Sequence, residues 1–172
     1  LIPLFAYLML SAPYRRARVM TFLDPWRDPT GQGFQVIQSL LTFHSGGIFG
    51  VGVGDGQGKL FFLPEAHTDF TLAVLGEEMG FLGFVFIMLL YGFLVIRGLQ
   101  ISNRVDSPFA KVLALGLTVG FAYSVIINIG VVLGLFPTKG LTLPFMSYGG
   151  SSLVMSCVLF GILLNIQKQC RT

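Results

Sequence analysis

The side chains best suited to proton transfer stand together in one short run, Leu63-Pro64-Glu65-Ala66-His67-Thr68-Asp69-Phe70. It holds two carboxylates, an imidazole and a hydroxyl, and a long apolar segment follows it directly. Carboxylates and imidazoles are the groups that most often act as general acids and bases. We therefore expect any chemistry of this chain at this junction between a polar loop and a membrane-length helix.

The composition is that of a membrane protein. Mean hydropathy is +0.78, 53% of the residues are hydrophobic and only 11% are charged. Such a chain is too apolar to hide its side chains in one water-soluble core of this size. The lipid bilayer is the expected surrounding, and no nucleic acid is expected as a partner. The two cysteines have neither disulfide-framework nor metal-ligand spacing.

Hydropathy divides the chain into spans and one long loop. Residues 1–12 are apolar but reach only about half the length of a spanning helix, so we expect the end of a truncated one. A signal peptide is the alternative, but the basic residues follow this run instead of preceding it. Residues 13–69 form the loop, and complete spans are expected at 70–99, 112–136 and 143–166. The predicted fold is an all-α, polytopic transmembrane helix bundle, and residues 1–172 are expected to form part of one membrane domain of a longer protein.

Two features stand out within the loop. Over 34–44 the apolar residues Phe34, Ile37, Leu40 and Leu41 recur at helical spacing, while the polar residues Gln35, Gln38, Ser39 and Thr42 fall largely elsewhere. This pattern predicts a short amphipathic helix that either lies on the membrane surface or packs on the protein. A glycine-rich run then leads to Lys59. It is not a Walker A loop, because Val53 and Leu60 stand where that motif needs Gly and Ser or Thr. Its glycines permit close approach of another group, so a role in shaping a substrate groove is possible.

Charged residues also mark the ends of the spans. Glu77 and Glu78 lie about two turns into the first span, where carboxylates are costly unless they face a bundle interior or a wet cavity. Pairing with an arginine from elsewhere is favoured for them over a catalytic role. Basic residues dominate the segments after the first and third spans, whereas Lys139 is the only charge in the turn between the second and third. By the positive-inside rule the long loop and Lys139 then lie outside the cytoplasm.

An extracytoplasmic site has little access to ATP or nucleotide sugars. A group transfer there needs a donor activated beforehand, such as a lipid-linked pyrophosphate. The segment 134–152 lies on the same side, and its prolines and glycines break the helix at membrane depth, where exposed backbone must be buried in protein or line a cavity. Lys139 in this segment suits a phosphate. Ser147 is not a nucleophile elbow, because Phe145 replaces the first Gly of that motif, and we interpret residues 147–152 as a packing segment.

These residues together resemble the C-terminal half of the SEDS family (shape, elongation, division and sporulation). The motifs that carry the resemblance are Asp24-Pro25-Trp26, Gly33-Phe34-Gln35 with Gln38-Ser39, the glycine-rich run ending in Lys59, the run Leu63 to Phe70, Gly76-Glu77-Glu78-Met79-Gly80, Asn128-Ile129-Gly130 and the segment 137–152. The version Pro137-Thr138-Lys139-Gly140-Leu141-Thr142 is more similar to the cell-division branch than to the elongation branch.

The resemblance implies a multi-pass protein of the bacterial inner (cytoplasmic) membrane with about ten helices and its active site on the extracytoplasmic face. The implied activity is that of a peptidoglycan glycosyltransferase that polymerises lipid II, the undecaprenyl-pyrophosphoryl disaccharide-pentapeptide, into β-1,4 glycan strands. The implied partners are a class B penicillin-binding protein transpeptidase and other divisome membrane proteins. A lipid II flippase and a non-catalytic divisome scaffold are the alternative functions.

Asp69 matches the family's essential loop aspartate, and its implied role is general base. One carboxylate can deprotonate the attacking sugar hydroxyl, and inversion by direct displacement needs no second, nucleophilic carboxylate. Without the resemblance, capping of the following helix would be the favoured role of Asp69. The departing pyrophosphate needs cationic compensation from Lys139, an arginine, or a divalent metal such as Mg²⁺ or Mn²⁺. The other candidate substrate-binding residues are Lys59, Glu65, His67 and Ser147, and for Glu65 and His67 a structural role in the loop is the alternative.

Overall fold

The computed structural model describes residues 24–27, 33–56, 70–137 and 142–169. Regular structure in these ranges is helical throughout, which confirms the all-α prediction. A single 3-10 turn at Pro25–Arg27 is followed by four helices: α1 (Phe34–Ser45), α2 (Thr71–Arg104), α3 (Pro108–Val132) and α4 (Gly150–Gln169). The predicted truncated helix at 1–12 lies outside the described residues.

Three of these helices, α2, α3 and α4, are long and apolar enough to cross a membrane. Their bounds differ from the predicted spans. Helix α3 begins earlier, at Pro108, because proline is favoured at the first helical position, and it ends at Val132, just before Gly134 adopts a positive φ of 69°. Helix α4 begins at Gly150 and not at residue 143, because residues 144–148 form turns and bends.

Helix α2 is interrupted at Gly80. The backbone there has φ 69° and ψ −170°, a conformation that glycine adopts far more readily than any other residue. The interruption divides α2 into α2a (71–79) and α2b (81–104). At 1.5 Å per residue α2b is about 36 Å long, enough by itself to cross a hydrocarbon core of about 30 Å. The transmembrane part of this element is therefore α2b, and α2a is free to take another direction.

The glycine-rich loop after α1 closes this interruption. The last carbonyls of α2a and the first amides of α2b have lost their partners within the helix, and the loop backbone replaces them. Four hydrogen bonds do so: Val51 N–H to Glu77 O (3.0 Å), Gly52 N–H to Glu78 O (3.2 Å), Phe81 N–H to Gly47 O (2.9 Å) and Leu82 N–H to Ile48 O (3.2 Å). Two carbonyls and two amides at the break are thus bonded to a second segment of the chain.

This contact leaves no room for side chains. A Cβ added at Gly46 would overlap the carbonyl oxygen of Gly76, and one added at Gly50 would overlap that of Glu78. The close approach that these glycines permit is therefore to the protein's own backbone. Their spacing in the sequence reflects a backbone-to-backbone junction with α2.

Helix α1 packs on the protein, which was one of the two predicted alternatives. Its buried residues are Val36, Ile37, Ser39 and Thr42, and the Ser39 hydroxyl donates a hydrogen bond of 3.1 Å to the carbonyl oxygen of Val132 at the end of α3. The predicted division into faces is partly wrong, because Leu41, assigned to the apolar face, is 50% exposed. Small hydroxyl side chains fit this close contact because their polar atoms find backbone partners.

Helix α2a is enclosed by the rest of the structure. Every residue from 72 to 78 is buried, and the exposed positions are confined to the two ends, with Thr71 partly buried and Met79 40% exposed. Phe70 and Leu72 belong to one apolar core together with residues of α2b, α3 and the segment before α4, among them Tyr91, Phe121, Val125 and Leu143. A polar loop therefore ends in a short helix whose position is fixed on all sides.

The junction between the glycine-rich loop and α2 can be tested at Gly46, whose backbone is helical and needs no special φ. We expect Gly46→Ala to lower the free energy of unfolding by about 1–3 kcal/mol, because the added methyl group meets backbone that cannot move aside. The measurement is thermal unfolding of the purified full-length protein in detergent.

The matched control is Gly92→Ala, on the exposed side of α2b, where an added Cβ meets nothing within 4 Å. It should be neutral or stabilise the protein by up to about 1 kcal/mol, since alanine has a higher helix propensity than glycine. Equal unfolding temperatures for the two variants would contradict the close junction.

Candidate functional site

One of the six candidate site residues, Ser147, lies in the described part of the chain. Asp69, Glu65, His67 and Lys59 lie in the gap 57–69, and Lys139 lies in the gap 138–141, so all five are outside the described residues. The residues that directly flank both gaps are described. The site is therefore described from these flanking residues and from Ser147.

A cleft of about 520 Å³ opens where α2a and α4 both begin. Its lining combines hydroxyl groups, glycines and apolar side chains: Thr71, Phe145, Met146, Ser147, Tyr148, Gly149, Gly150 and Leu153. Thr71 follows Asp69 by two residues, and the residue between them, Phe70, is only 1% exposed. The described chain thus enters the lining of this cleft at Thr71, directly after the buried Phe70.

The Ser147 hydroxyl links two segments that line the cleft. It accepts a hydrogen bond of 2.8 Å from the backbone N–H of Leu143 and lies 3.2 Å from the Thr71 hydroxyl oxygen. One side chain thus closes the turn before α4 and joins that turn to the start of α2a. This arrangement agrees with the backbone-shaping role that the sequence indicated for Ser147.

A second contact fixes the same turn from the side of the membrane span. Tyr91 of α2b is buried, and its hydroxyl donates a hydrogen bond to the carbonyl oxygen of Pro144. Next to it, Phe145 takes a φ of 67°, which is rare for a residue other than glycine. Its ring packs 5.4 Å from the ring of Phe160 in α4, which in turn meets Phe121 edge-to-face at 5.1 Å. These contacts hold a strained turn at the mouth of the cleft.

The first residues of α2a show which residue stands at the N-cap position, the role that the sequence favoured for Asp69 in the absence of the family resemblance. Phe70 occupies the N-cap position and makes no side-chain hydrogen bond to the helix. Asp69 is therefore one residue outside the N-cap position. The N-terminus of a helix carries partial positive charge, so a carboxylate or phosphate close to it is stabilised.

Glu77 and Glu78 lie at the other end of α2a, against the glycine-rich loop. Both are buried, with 4% and 8% exposure. The Ser45 hydroxyl, at the end of α1, donates a hydrogen bond of 3.4 Å to Glu77 Oε1. A Cβ added at Gly56 would lie 3.0 Å from Glu77 Oε2. The two carboxylates therefore belong to the junction between loop and broken helix.

No group of three or more His, Cys, Asp or Glu side chains that could hold a metal ion occurs within the described ranges. A divalent metal such as Mg²⁺ or Mn²⁺ therefore stays a prediction, and none of the steps below is routed through a metal.

Two residues of this site were missed by sequence reasoning. Thr71 sits at the boundary between loop and span, where its hydroxyl is indistinguishable from a capping group. Tyr91 did leave a signal, because a phenol in the middle of an apolar span needs a partner for its O–H group. That partner, the carbonyl oxygen of Pro144, is distant in the sequence and only the fold reveals it.

The role of Ser147 can be tested by Ser147→Ala. The substitution leaves the buried N–H of Leu143 without its acceptor, and we expect the free energy of unfolding to fall by about 1–3 kcal/mol. Thermal unfolding of the full-length protein in detergent measures the change. Ser124→Ala in α3 is the control, because the Ser124 hydroxyl only bonds to the Gly120 carbonyl of its own helix, and a change within about 0.5 kcal/mol is expected. Equal effects would argue against Ser147 as the group that holds the turn.

Comparison with known families gives a match over the whole chain. The family model described as cell cycle protein, which joins FtsW, RodA and SpoVE, matches residues 1–172. The chain is 48% identical over 170 residues to the probable peptidoglycan glycosyltransferase FtsW of Geobacter metallireducens, covering 99% of this chain and 45% of that protein. It is also 48% identical over 167 residues to the stage V sporulation protein E of Bacillus subtilis, covering 97% and 46%. The chain thus spans somewhat less than half the length of these relatives.

Solved structures show the same architecture. A chain from a peptidoglycan synthase complex, described for its coordination of polymerization and crosslinking, superposes with a TM-score of 0.73 at 38% identity, covering 97% of this chain and 48% of that one. A mutant of the rod shape determining protein RodA of Thermus thermophilus gives a TM-score of 0.59 at 34% identity, covering 63% and 36%.

Proposed function

Because the chain belongs to the FtsW, RodA and SpoVE family of cell cycle proteins, we propose that it acts in a peptidoglycan glycosyltransferase that polymerises lipid II during cell division. Family membership and three spanning helices make it a multi-pass membrane protein. The observation that carries the proposal for the site is the cleft at the start of α2a, one buried residue away from Asp69.

In the proposed reaction Asp69 is the general base. A sugar hydroxyl of the acceptor attacks the anomeric carbon of the lipid-linked donor, and the Asp69 carboxylate takes the hydroxyl proton. The new β-1,4 bond forms as the bond between the anomeric carbon and the pyrophosphate oxygen breaks. The undecaprenyl pyrophosphate leaves with the bonding electron pair. One carboxylate suffices because the configuration inverts in a single displacement.

The fold supports this role by fixing the residue next to the base. Catalytic groups work best when their positions are set before the substrate arrives. Phe70 is buried, and so are residues 72–78 of α2a behind it. Hydrogen bonding between Ser147, Leu143 and Thr71 joins the start of α2a to the turn before α4. The backbone on both sides of the reaction volume is thus anchored in the apolar core.

The cleft has the mixed character that a lipid-linked sugar donor requires. Phe145, Met146 and Leu153 supply apolar surface, and Thr71 with the backbone of Gly149 supplies polar groups. Lys139 is proposed to neutralise the pyrophosphate, because a lysine acts as a point charge on phosphate. Lys59, Glu65 and His67 are proposed as further contacts to the substrate.

We place this cleft on the extracytoplasmic face of the bacterial cytoplasmic membrane. Arg97, Arg104, Lys111 and Lys168 lie at the opposite end of the bundle, as expected of a cytoplasmic side. The solved relative from a peptidoglycan synthase complex supports a class B penicillin-binding protein transpeptidase as a partner. Other divisome membrane proteins are proposed as further partners.

The central test of the function is Asp69→Asn. Asparagine caps helices as well as aspartate does but cannot accept the hydroxyl proton, so the substitution separates catalysis from capping. We expect the rate of glycan polymerisation from lipid II by the purified full-length protein with its transpeptidase partner to fall about 10²- to 10⁴-fold. The unfolding temperature should not change. Asp55→Asn is the control, because Asp55 is an exposed carboxylate of the same loop.

The same assay separates the alternatives. If the wild-type complex forms no polymer, the enzyme proposal is wrong. If Asp69→Asn polymerises normally but no longer moves a labelled lipid II headgroup across a vesicle membrane, the protein is a flippase. If both activities are absent from wild type and only binding to the partner is measurable, it is a scaffold.

Lys139 provides a second test of the proposed reaction. Lys139→Gln removes a cation from the leaving pyrophosphate, and we expect kcat/KM for lipid II to fall about 10- to 100-fold. Lys139→Arg keeps the charge and should retain part of the activity. Lys111→Gln, at the opposite end of the bundle, should retain full activity. An unchanged kcat/KM in Lys139→Gln would exclude Lys139 from leaving-group stabilisation.

A further inference from the structure

A second concave surface lies at the end of the bundle opposite to α1 and the cleft. It is a groove of about 450 Å³ between the last turns of α2b and of α4. Its lining residues are Leu94, Arg97, Gly98, Gln100, Ile101, Arg104, Phe160, Leu163, Leu164 and Gln167. None of the proposed catalytic or substrate-binding residues takes part in it.

The polar side of this groove is cationic. Arg97 and Arg104 are two helical turns apart and therefore lie on the same face of α2b. Gln100 and Gln167 add amide groups, and none of the side chains that line the groove in the described part of the chain is acidic. The groove therefore favours an anion.

Arg97 is held in place before any ligand arrives. Its guanidinium carbon lies 5.1 Å from the centre of the Phe93 ring, and its Nη1 lies 3.4 Å from Gln100 Oε1. A guanidinium stacked on an aromatic ring keeps its other N–H groups available for a planar, bidentate contact with phosphate. Little side-chain entropy then remains to be lost when a phosphate binds.

The other side of the groove is apolar. Leu94, Phe160 and Leu164 form this wall, and Leu164 is 62% exposed. A free inorganic anion would leave such a wall uncovered. A ligand with a phosphate at one end and a hydrocarbon chain at the other would cover both sides of the groove.

The depth of the two arginines matches a lipid headgroup. Counted from Phe81 at 1.5 Å per residue, Arg97 lies about 24 Å and Arg104 about 35 Å along α2b. A hydrocarbon core of about 30 Å that begins near Phe81 ends between them. The phosphate layer of the leaflet at that end therefore lies level with the guanidinium groups.

We propose that this groove binds an anionic glycerophospholipid of the leaflet at the arginine-rich end of the bundle. Its phosphodiester lies between Arg97 and Arg104, and one acyl chain lies along Leu94, Phe160 and Leu164. The groove should prefer an anionic headgroup to a zwitterionic one. Its lining contains two arginines but no carboxylate that could pair with the cationic group of a zwitterionic headgroup. The proposal does not depend on the proposed glycosyltransferase activity.

Lipid titration of the full-length protein followed by native mass spectrometry in detergent tests this site. Phosphatidylglycerol and phosphatidylcholine with identical acyl chains are compared, so that only the headgroup charge differs. We expect phosphatidylglycerol to bind at least about 10-fold more tightly, and Arg97→Gln and Arg104→Gln each to weaken it about 10-fold, as loss of a charge-assisted hydrogen bond does. Both side chains are exposed, so the variants should keep the wild-type unfolding temperature without lipid.

Two controls distinguish binding in this groove from a general electrostatic attraction between anionic lipid and the basic end of the bundle. Lys111→Gln removes an exposed cation from the same end of the bundle but outside the groove, and it should change phosphatidylglycerol affinity less than about 3-fold. Inorganic phosphate at millimolar concentration should not displace the lipid, because it cannot use the apolar wall.

Several results would overturn the proposal. These are equal affinity for the two lipids, an equal loss in Lys111→Gln and in the arginine variants, or displacement by inorganic phosphate. A fall in the lipid-free unfolding temperature of both arginine variants, with no lipid bound to wild type, would show that another segment of the full-length chain fills the groove.

Discussion

The structure depends on hydrogen bonds to the backbone amides and carbonyls at the point where α2 is interrupted. A helix broken beside an apolar environment exposes amides and carbonyls, and each one left without a partner costs free energy. The glycine-rich loop supplies the missing partners through Val51, Gly52, Gly47 and Ile48. Because the loop binds by its backbone, it must approach more closely than any side chain permits. The loop, the break and the direction of α2a are therefore one structural unit.

The candidate site follows from that interruption. A continuous α2 would place Thr71 about 30 Å along its axis from Tyr91. In the broken helix, Thr71 contacts Ser147 while Tyr91 bonds to Pro144 of the same short turn. The start of α2a and the turn before α4 are thereby brought together beside α2b. The cleft lies between the start of α2a and the turn before α4. Its polar lining comes from the hydroxyl and backbone groups at these two breaks in helical structure.

Much of the fold could be predicted from the sequence, because long apolar segments have few alternatives to spanning helices. The break at Gly80 could not, since a single glycine in an apolar run is also tolerated within a helix. The buried face of α1 was partly misassigned because Ser39 is buried through a hydrogen bond to distant backbone. The catalytic role of Asp69 is predicted from the resemblance alone, because its position before a helix by itself favours a cap. Contacts such as Ser147 to Thr71 join residues far apart in sequence, and local patterns carry no signal for them.

The two ends of α2 are suited to different ligands for the same physical reason. At Arg97 the helix is continuous and its backbone groups are bonded internally, so a ligand at that end is bound mainly by side chains, those of Arg97 and Arg104. At Thr71 the helix begins beside a strained turn, and the hydroxyl groups of Thr71 and Ser147 lie at one cleft. Charge developing in a transition state is stabilised best by such fixed groups, which do not reorganise during the reaction. A lipid headgroup, which must bind and exchange, needs only the exposed cations of the opposite end.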